Sequence, residues 1–116
     1  MVNKIFKKGI EYTNKGKYEQ AIEQFTQIIT SENDYANAYL ALGIVYINKK
    51  MENEAVELLK KAIELNPNNK RTYFTLARLY EKLEYDKLAI GTWEQYLLLN
   101  PDNKYAEIAK KHLKRL

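Results

Sequence analysis

The sequence predicts an all-α fold, a solenoid of antiparallel helix pairs with seven helices in total. The first observation is a repeated segment: LNPNNK at residues 65–70 returns as LNPDNK at residues 99–104, an interval of 34 residues. The second is that the stretch before each copy carries apolar residues at helical spacing. Helical units of this length bury their apolar faces by stacking on one another.

The two prolines mark the ends of helices. Each copy of the repeated segment contains one of them, Pro67 or Pro101. Proline disfavours the helical conformation in the residue before it, so helices should end near Asn66 and Asn100. The following helices should begin at Asn69 and Asn103, whose side-chain oxygens can accept hydrogen bonds from free backbone N–H groups.

A shift by the same interval aligns further parts of the chain and defines three units. Segments that end in tyrosine coincide at residues 5–12, 39–46 and 73–80. The units should therefore lie at about residues 2–35, 36–69 and 70–103. A seventh helical pattern follows at about residues 104–115. Its apolar stripe holds Tyr105, Ile108, His112 and Leu116, with Ala109 and Leu113 beside it. We expect that stripe to pack on the last unit, so that the helix caps the stack.

Residue size at equivalent positions predicts how each pair packs. Small residues recur where the two helices of a pair should approach closely, at Gly9, Gly43 and Ala77. Large apolar residues should fill the space between a pair and its neighbour, at Phe25, Leu59 and Trp93. Gly16 falls in the turn of the first pair, where glycine accepts a left-handed backbone freely. The equivalent positions hold Lys50 and Glu84, so those turns should be strained or differently shaped.

These residues and their spacing resemble the tetratricopeptide repeat, whose pattern is W-x2-L-G-x2-Y, then A-x3-F, then P. The middle unit matches best, at Tyr39, Leu42, Gly43, Tyr46, Ala55, Leu59, Ala62 and Pro67. The first unit departs from the pattern, with Lys8 in place of leucine and no proline. The resemblance covers nearly the whole chain as a single domain. It implies a right-handed superhelix that serves as a protein-interaction module or assembly scaffold, and it names no ligand.

The chain offers little of the chemistry that an enzyme needs. It has no cysteine, and its one histidine, His112, falls on the amphipathic seventh helix, where a packed or rim position is expected. No cluster of side chains has the spacing of a metal site, and the glycines form no phosphate-binding loop. We therefore predict no enzyme, no catalytic residue, no metal and no cofactor.

Charge and hydropathy favour a cytoplasmic protein. The net charge is +4, and lysine and glutamate are interspersed as on solvated helix faces. No apolar run has the length of a signal-peptide core or of the roughly 18 residues of a membrane helix. The alternative is a fragment cut from a longer protein.

The first helix of each unit should line a concave groove with a second stripe, displaced around the helix from the core stripe. That second stripe holds the predicted binding residues: Asn3, Phe6, Ile10, Asn37, Leu40, Ile44, Ile47, Asn48, Arg71, Phe74 and Arg78. Its apolar members should meet solvent, since an exposed apolar strip often marks a partner site. The alternative is that neighbouring units bury Leu40 and Ile44.

The charges beside the apolar strip favour an acidic partner. Arg71 and Arg78 stand near Phe74, which suits an acidic peptide or amphipathic helix. Chaperone-binding members of the family that the chain resembles hold an acidic C-terminal tail in a two-carboxylate clamp. The matching slots here are Phe6, Ile10, Ala41, Arg71 and Thr75. Only Arg71 is basic, so that clamp is not predicted.

Two other functions stay open. The apolar strip could pack on a second copy, which would make the chain a self-associating scaffold. The basic residues of the last helix could bind nucleic acid weakly through charge, although a solvated cap face accounts for them more simply. They are Lys110, Lys111, Lys114 and Arg115.

Overall fold

The computed structural model describes residues 1–102 and 104–116. Within these residues the chain forms seven α-helices and no β-strand, which confirms the all-α prediction. The helices are α1 (Val2–Asn14), α2 (Tyr18–Ser31), α3 (Ala36–Asn48), α4 (Glu52–Leu65), α5 (Lys70–Lys82), α6 (Asp86–Leu99) and α7 (Lys104–Arg115). Each of these helices has 14 residues or fewer, fewer than the roughly 20 apolar residues that a membrane-spanning helix requires.

The helices group into two compact units, which we call unit 1 and unit 2. These two units are different from the three predicted sequence repeats. Unit 1 is Met1–Pro67 and contains α1 to α4, and unit 2 is Asn68–Leu116 and contains α5 to α7. In unit 1, α2 packs against α1 and α3, while α3 packs against α4 and also touches α1. In unit 2, α6 packs against both α5 and α7. The single domain and the bounds of its three repeats and capping helix stay predictions.

Asparagine and proline end two of the helices where the sequence places them. Helix α4 ends at Leu65 and α6 at Leu99, each directly before an Asn-Pro pair. At the start of α5, the Asn69 side-chain oxygen accepts the backbone N–H of Arg71 at 3.1 Å, as predicted. The second predicted capping residue, Asn103, lies outside the described residues.

Three helices end in the same turn, in which one residue adopts a left-handed backbone. These residues and their φ angles are Gly16 at 75°, Lys50 at 66° and Glu84 at 63°. In each turn the left-handed residue and the next donate backbone N–H bonds into the last turn of the helix, the pattern of a Schellman cap. A left-handed backbone costs a residue with a Cβ atom about 1–2 kcal/mol. The turns at Lys50 and Glu84 are therefore strained, as predicted, and they share their geometry with the glycine turn.

Glycine allows two helix pairs of unit 1 to close. A Cβ atom on Gly9 would lie 2.5 Å from the Phe25 ring, and one on Gly43 would lie 3.1 Å from Leu59. Phe25 and Leu59 are completely buried. The predicted need for small residues is confirmed at both glycines. The surrounding core cluster of buried residues is Ala21, Phe25, Ile28, Ala38, Ala41, Leu42 and Val45.

Unit 2 fills the equivalent space with aromatic rings. Ala77 and Trp93 are completely buried at the positions equivalent to glycine and leucine. The Phe74 ring meets the Trp93 ring at right angles with centroids 5.2 Å apart, and it lies 5.5 Å from the Tyr96 ring. Such edge-to-face pairs are favourable beyond the area they bury. The core of unit 2 is thus an aromatic cluster centred on α6.

Helix α7 packs through small residues and the half-buried His112, so the predicted packing stripe is wrong at three of its four positions. Ala106 and Ala109 are completely buried, whereas Tyr105, Ile108 and Leu116 are 44%, 37% and 36% exposed. The indole and phenol rings of α6 already occupy the space beneath α7. Small residues allow the two helices to approach closely there, and the larger side chains turn outward.

Candidate functional site

The predicted binding residues of unit 1 form a mixed surface on α1 and α3. The amides of Asn3, Asn37 and Asn48 are exposed, and Ile10 is 38% exposed. Three further apolar side chains are half-buried: Phe6, Ile44 and Ile47. The Phe6 ring lies 5.5 Å from the Phe25 ring, so it forms the edge of the core as well as part of this surface.

Leu40 corrects the prediction for this surface. It is only 6% exposed and therefore does not meet solvent. Helix α3 has packing partners in α1, α2 and α4, and most of its circumference is apolar. A helix of that kind is normally buried on all sides. The proposed strip in unit 1 thus reduces to Ile10 and the half-buried edges of its neighbours.

In unit 2 the predicted residues border a cleft. Arg71 and Arg78 are exposed and Phe74 is half-buried. A cavity of about 260 Å³ opens beside Phe74. We call it the aromatic cleft, and its lining residues are Lys70, Arg71, Phe74, Tyr96 and Tyr105. The structure brings Arg71 and Phe74 together in this cleft, and Arg78 is not among the residues that line it.

Three helices position the walls of the aromatic cleft. The Asn69 cap fixes the first turn of α5, where Arg71 lies, and the Thr75 hydroxyl donates to the Arg71 carbonyl at 2.8 Å. Helix α6 supplies the buried Tyr96, and α7 supplies Tyr105, whose ring centroid is 6.0 Å from that of Phe74. The walls are therefore rings held by packing.

The rim of the aromatic cleft is cationic. Lys70 and Arg71 border it, and the Lys104 Nζ atom lies 5.1 Å from the centroid of the Tyr105 ring. Among residues 1–102 and 104–116, no carboxylate forms an ion pair with any of these three cations. The cleft can accept an apolar side chain between its rings while its rim attracts a carboxylate.

Three residues of the aromatic cleft were not predicted from the sequence: Lys70, Tyr96 and Tyr105. The prediction placed binding residues only on the first helix of each pair, and Tyr96 belongs to the second helix. Tyr105 was placed on the buried stripe of α7. The available signal was the pair of alanines on α7, since small residues on one stripe indicate close packing there.

His112 is held in a hydrogen-bonded cluster at the other end of α7. Its Nδ1 atom lies 2.6 Å from Glu81 Oε2, and Trp93 Nε1 donates to the same oxygen at 2.5 Å. The imidazole ring also packs on the indole, with centroids 4.9 Å apart. The packed position predicted for His112 is confirmed. Within the described residues, no three histidine, cysteine or acidic side chains gather as a metal site.

Comparison with known protein families gives one consistent result. Sequence profiles of the tetratricopeptide repeat match residues 36–69 and 58–88, and a profile described as TPR repeat matches residues 9–50. Together these matches extend over residues 9–88. No curated protein sequence matches the chain significantly.

Solved structures of tetratricopeptide repeat domains superpose on nearly the whole chain. The Arabidopsis OM64 TPR domain has a TM-score of 0.88 at 22% identity, covering 98% of this chain and 94% of that domain. The TPR2B domain of yeast Sti1 in its pHsp70 complex has a TM-score of 0.89 at 20% identity, with coverages of 98% and 94%. The first TPR of Spaghetti (RPAP3), bound to the HSP90 peptide SRMEEVD, has a TM-score of 0.86 at 22% identity, with coverages of 98% and 90%.

At such identities the superpositions show the fold, which is an all-α helical solenoid. The family rests on the sequence profiles, which together match parts of all three predicted repeats. The chain belongs to the tetratricopeptide repeat family.

Proposed function

We propose that this chain is a protein-interaction module that binds an acidic peptide or amphipathic helix. The similar Spaghetti domain is bound to the HSP90 peptide SRMEEVD, and the similar Sti1 domain is in a pHsp70 complex, which supports a peptide as the class of ligand. The binding residues are those of the sequence prediction without Leu40, joined by Lys70, Tyr96 and Tyr105.

The aromatic cleft is the observation that carries the proposal. A cavity of about 260 Å³ has room for one large apolar side chain. Ligand sites are typically apolar concavities with a few placed polar groups, and the aromatic cleft has three rings and two bordering cations. Arg71 can hold a carboxylate through two parallel hydrogen bonds. The preferred ligand therefore has a leucine or phenylalanine next to acidic residues.

A chaperone C-terminal tail is not the ligand that this surface favours. Of the five slots that would form the two-carboxylate clamp, four lack a cation: Phe6, Ile10, Ala41 and Thr75. Ala41 is buried, and the Thr75 hydroxyl is bonded to the backbone of its own helix. A free C-terminal carboxylate would therefore meet one arginine in place of a clamp.

A fluorescence anisotropy titration tests the proposal. The probe is a fluorescein-labelled, C-terminally amidated peptide, Glu-Glu-Leu-Phe-Glu-Glu, and its counterpart carries lysine at every glutamate. We expect the acidic peptide to bind with a Kd on the order of 100 µM and the Arg71→Glu variant to weaken it at least tenfold. Tyr105→Ala should weaken it about fivefold, because it removes the exposed wall of the cleft.

Charge-matched variants keep the test specific. Lys87→Glu makes the same charge change at an exposed position of α6 outside the cleft, and it should leave the Kd within about twofold. Arg78→Glu should have an intermediate effect. Equal losses in the Arg71 and Lys87 variants, or equal binding of the lysine peptide, would contradict the proposal. Tighter binding of SRMEEVD than of the amidated acidic peptide would contradict the statement that the surface does not favour a chaperone C-terminal tail.

A further inference from the structure

Helix α2 leaves one face largely exposed in unit 1, and on that face only Ile22 is half-buried against the core. Its buried residues, Ala21, Phe25 and Ile28, point to the core. The opposite face borders an open trough. We call this face the acidic strip, and its residues are Glu19, Ile22, Glu23 and Thr26. Helix α2 contains no lysine or arginine. Glu19 forms an ion pair with Lys49, whereas within the described residues no cation pairs with Glu23.

Helix α7 leaves a face of the opposite charge. This basic strip consists of Ile108, Lys111, Lys114 and Arg115. Among residues 1–102 and 104–116, no carboxylate pairs with Lys111, Lys114 or Arg115. Ile108 is 37% exposed, so the strip also has an apolar side chain that the rest of unit 2 does not cover.

The two strips match in length and in charge order. The acidic strip runs from Glu19 to Thr26 and the basic strip from Ile108 to Arg115, so each extends over about 10 Å of helix. An antiparallel alignment brings Arg115 near Glu19, Lys111 near Glu23, and Ile108 near Thr26. The same alignment sets the helix dipoles in opposite directions, which is favourable.

We propose that the basic strip of one copy docks on the acidic strip of a second copy. The two surfaces differ, so the contact is head-to-tail and leaves a free strip at each end of a pair. Association therefore continues to longer chains, or closes into a ring where the rotation between copies allows it. The contact joins two exposed charged helices, so it is weak and sensitive to salt. It is independent of peptide binding in the aromatic cleft.

Sedimentation velocity of the full chain from about 10 µM to about 1 mM tests this contact, a range that brackets weak association. The weight-average sedimentation coefficient should rise with concentration and fall when NaCl is raised from about 50 to about 500 mM. Glu23→Lys and Lys111→Glu should each lower the association constant about fivefold or more. The double variant exchanges the two charges and should recover most of the association.

Two further measurements keep the result interpretable. Glu94→Lys makes a matched charge change on an exposed position of α6 and should leave association unchanged. A constant sedimentation coefficient over the whole range, stronger association of Lys111→Glu, or a double variant as weak as the single ones would overturn the proposal. It would also be overturned if labelled RNA bound the chain at physiological salt, Lys111→Glu abolished that binding, and sedimentation did not change.

Discussion

Unit 1 and unit 2 contain the same helix pair in two versions that differ in side-chain size. In unit 1 a glycine on the first helix lies against a phenylalanine or a leucine on the second. In unit 2 the corresponding pair is Ala77 and Trp93, and Phe74, Tyr96 and Tyr105 gather around the indole side. The repeat pattern therefore determines which positions are in contact, whereas the side-chain volumes at those positions can vary. The larger rings of unit 2 are also the ones that leave a cleft at their edge.

Removing the indole ring of unit 2 should cause the largest loss of stability among the variants that test this difference between the units. Trp93→Ala takes away a completely buried ring and the hydrogen bond to Glu81, and we expect a loss of about 3–5 kcal/mol in the free energy of unfolding. Urea denaturation followed by circular dichroism measures it. Leu98→Ala, at an exposed position of the same helix, should change the free energy by less than about 0.5 kcal/mol. Similar losses in both variants would show that α6 is not held through its indole.

Adding one methyl group to each unit should give effects of opposite sign. Gly9→Ala forces the Phe25 ring to move in a packed core, and we expect a destabilisation of about 1–3 kcal/mol. Gly91→Ala meets nothing within 4 Å, and it should stabilise α6 by about 0.5–1 kcal/mol because alanine loses less backbone entropy. Thermal unfolding of both variants under one set of conditions gives the comparison. A neutral Gly9→Ala variant would mean that the ring shifts without strain.

Substitutions in the turns should change the free energy of unfolding least. They test both units, because each unit contains one strained turn. Lys50→Gly and Glu84→Gly relieve a left-handed backbone, and each should raise the free energy of unfolding by about 0.5–1 kcal/mol after glycine's own entropy is counted. Gly16→Ala is the reverse change and should lower it by about 1 kcal/mol. Urea denaturation measures the free energy of unfolding of each variant. If this free energy falls in both Lys50→Gly and Glu84→Gly, the contacts of Lys50 and Glu84 stabilise the fold by more than the backbone strain destabilises it.

Local rules in the sequence sufficed for most of the fold. Proline position gave the ends of α4 and α6, asparagine gave the cap of α5, and glycine size gave the close contacts of unit 1. Each of these depends on a residue and its near neighbours. The packed face of α7 was wrong because it depends on what α6 places beneath it. Large residues on α6 are matched by small residues on α7. This match depends on tertiary packing, and the amphipathic pattern of one helix does not encode it.

The candidate site was harder to predict than the fold for the same reason. The predicted stripe on α5 contained Arg71 and Phe74, and both do border a cleft. Leu40 was wrongly predicted to be exposed. Helix α3 is apolar around most of its circumference, so its sequence does not indicate which face is buried. Tyr96 could not be found from its own helix, since it reaches the cleft only through the packing of three helices.

Glu81 has a practical consequence for experiments in solution. Its Oε2 atom is shared by the indole N–H and the imidazole of His112, and the chain has one tryptophan. The tryptophan fluorescence of the chain therefore reports on the site where α7 packs against α6. Detachment of that helix would withdraw the imidazole from the ring and admit water, which changes both intensity and wavelength. Ordinary fluorescence can thus follow fraying at this end of the molecule without a label.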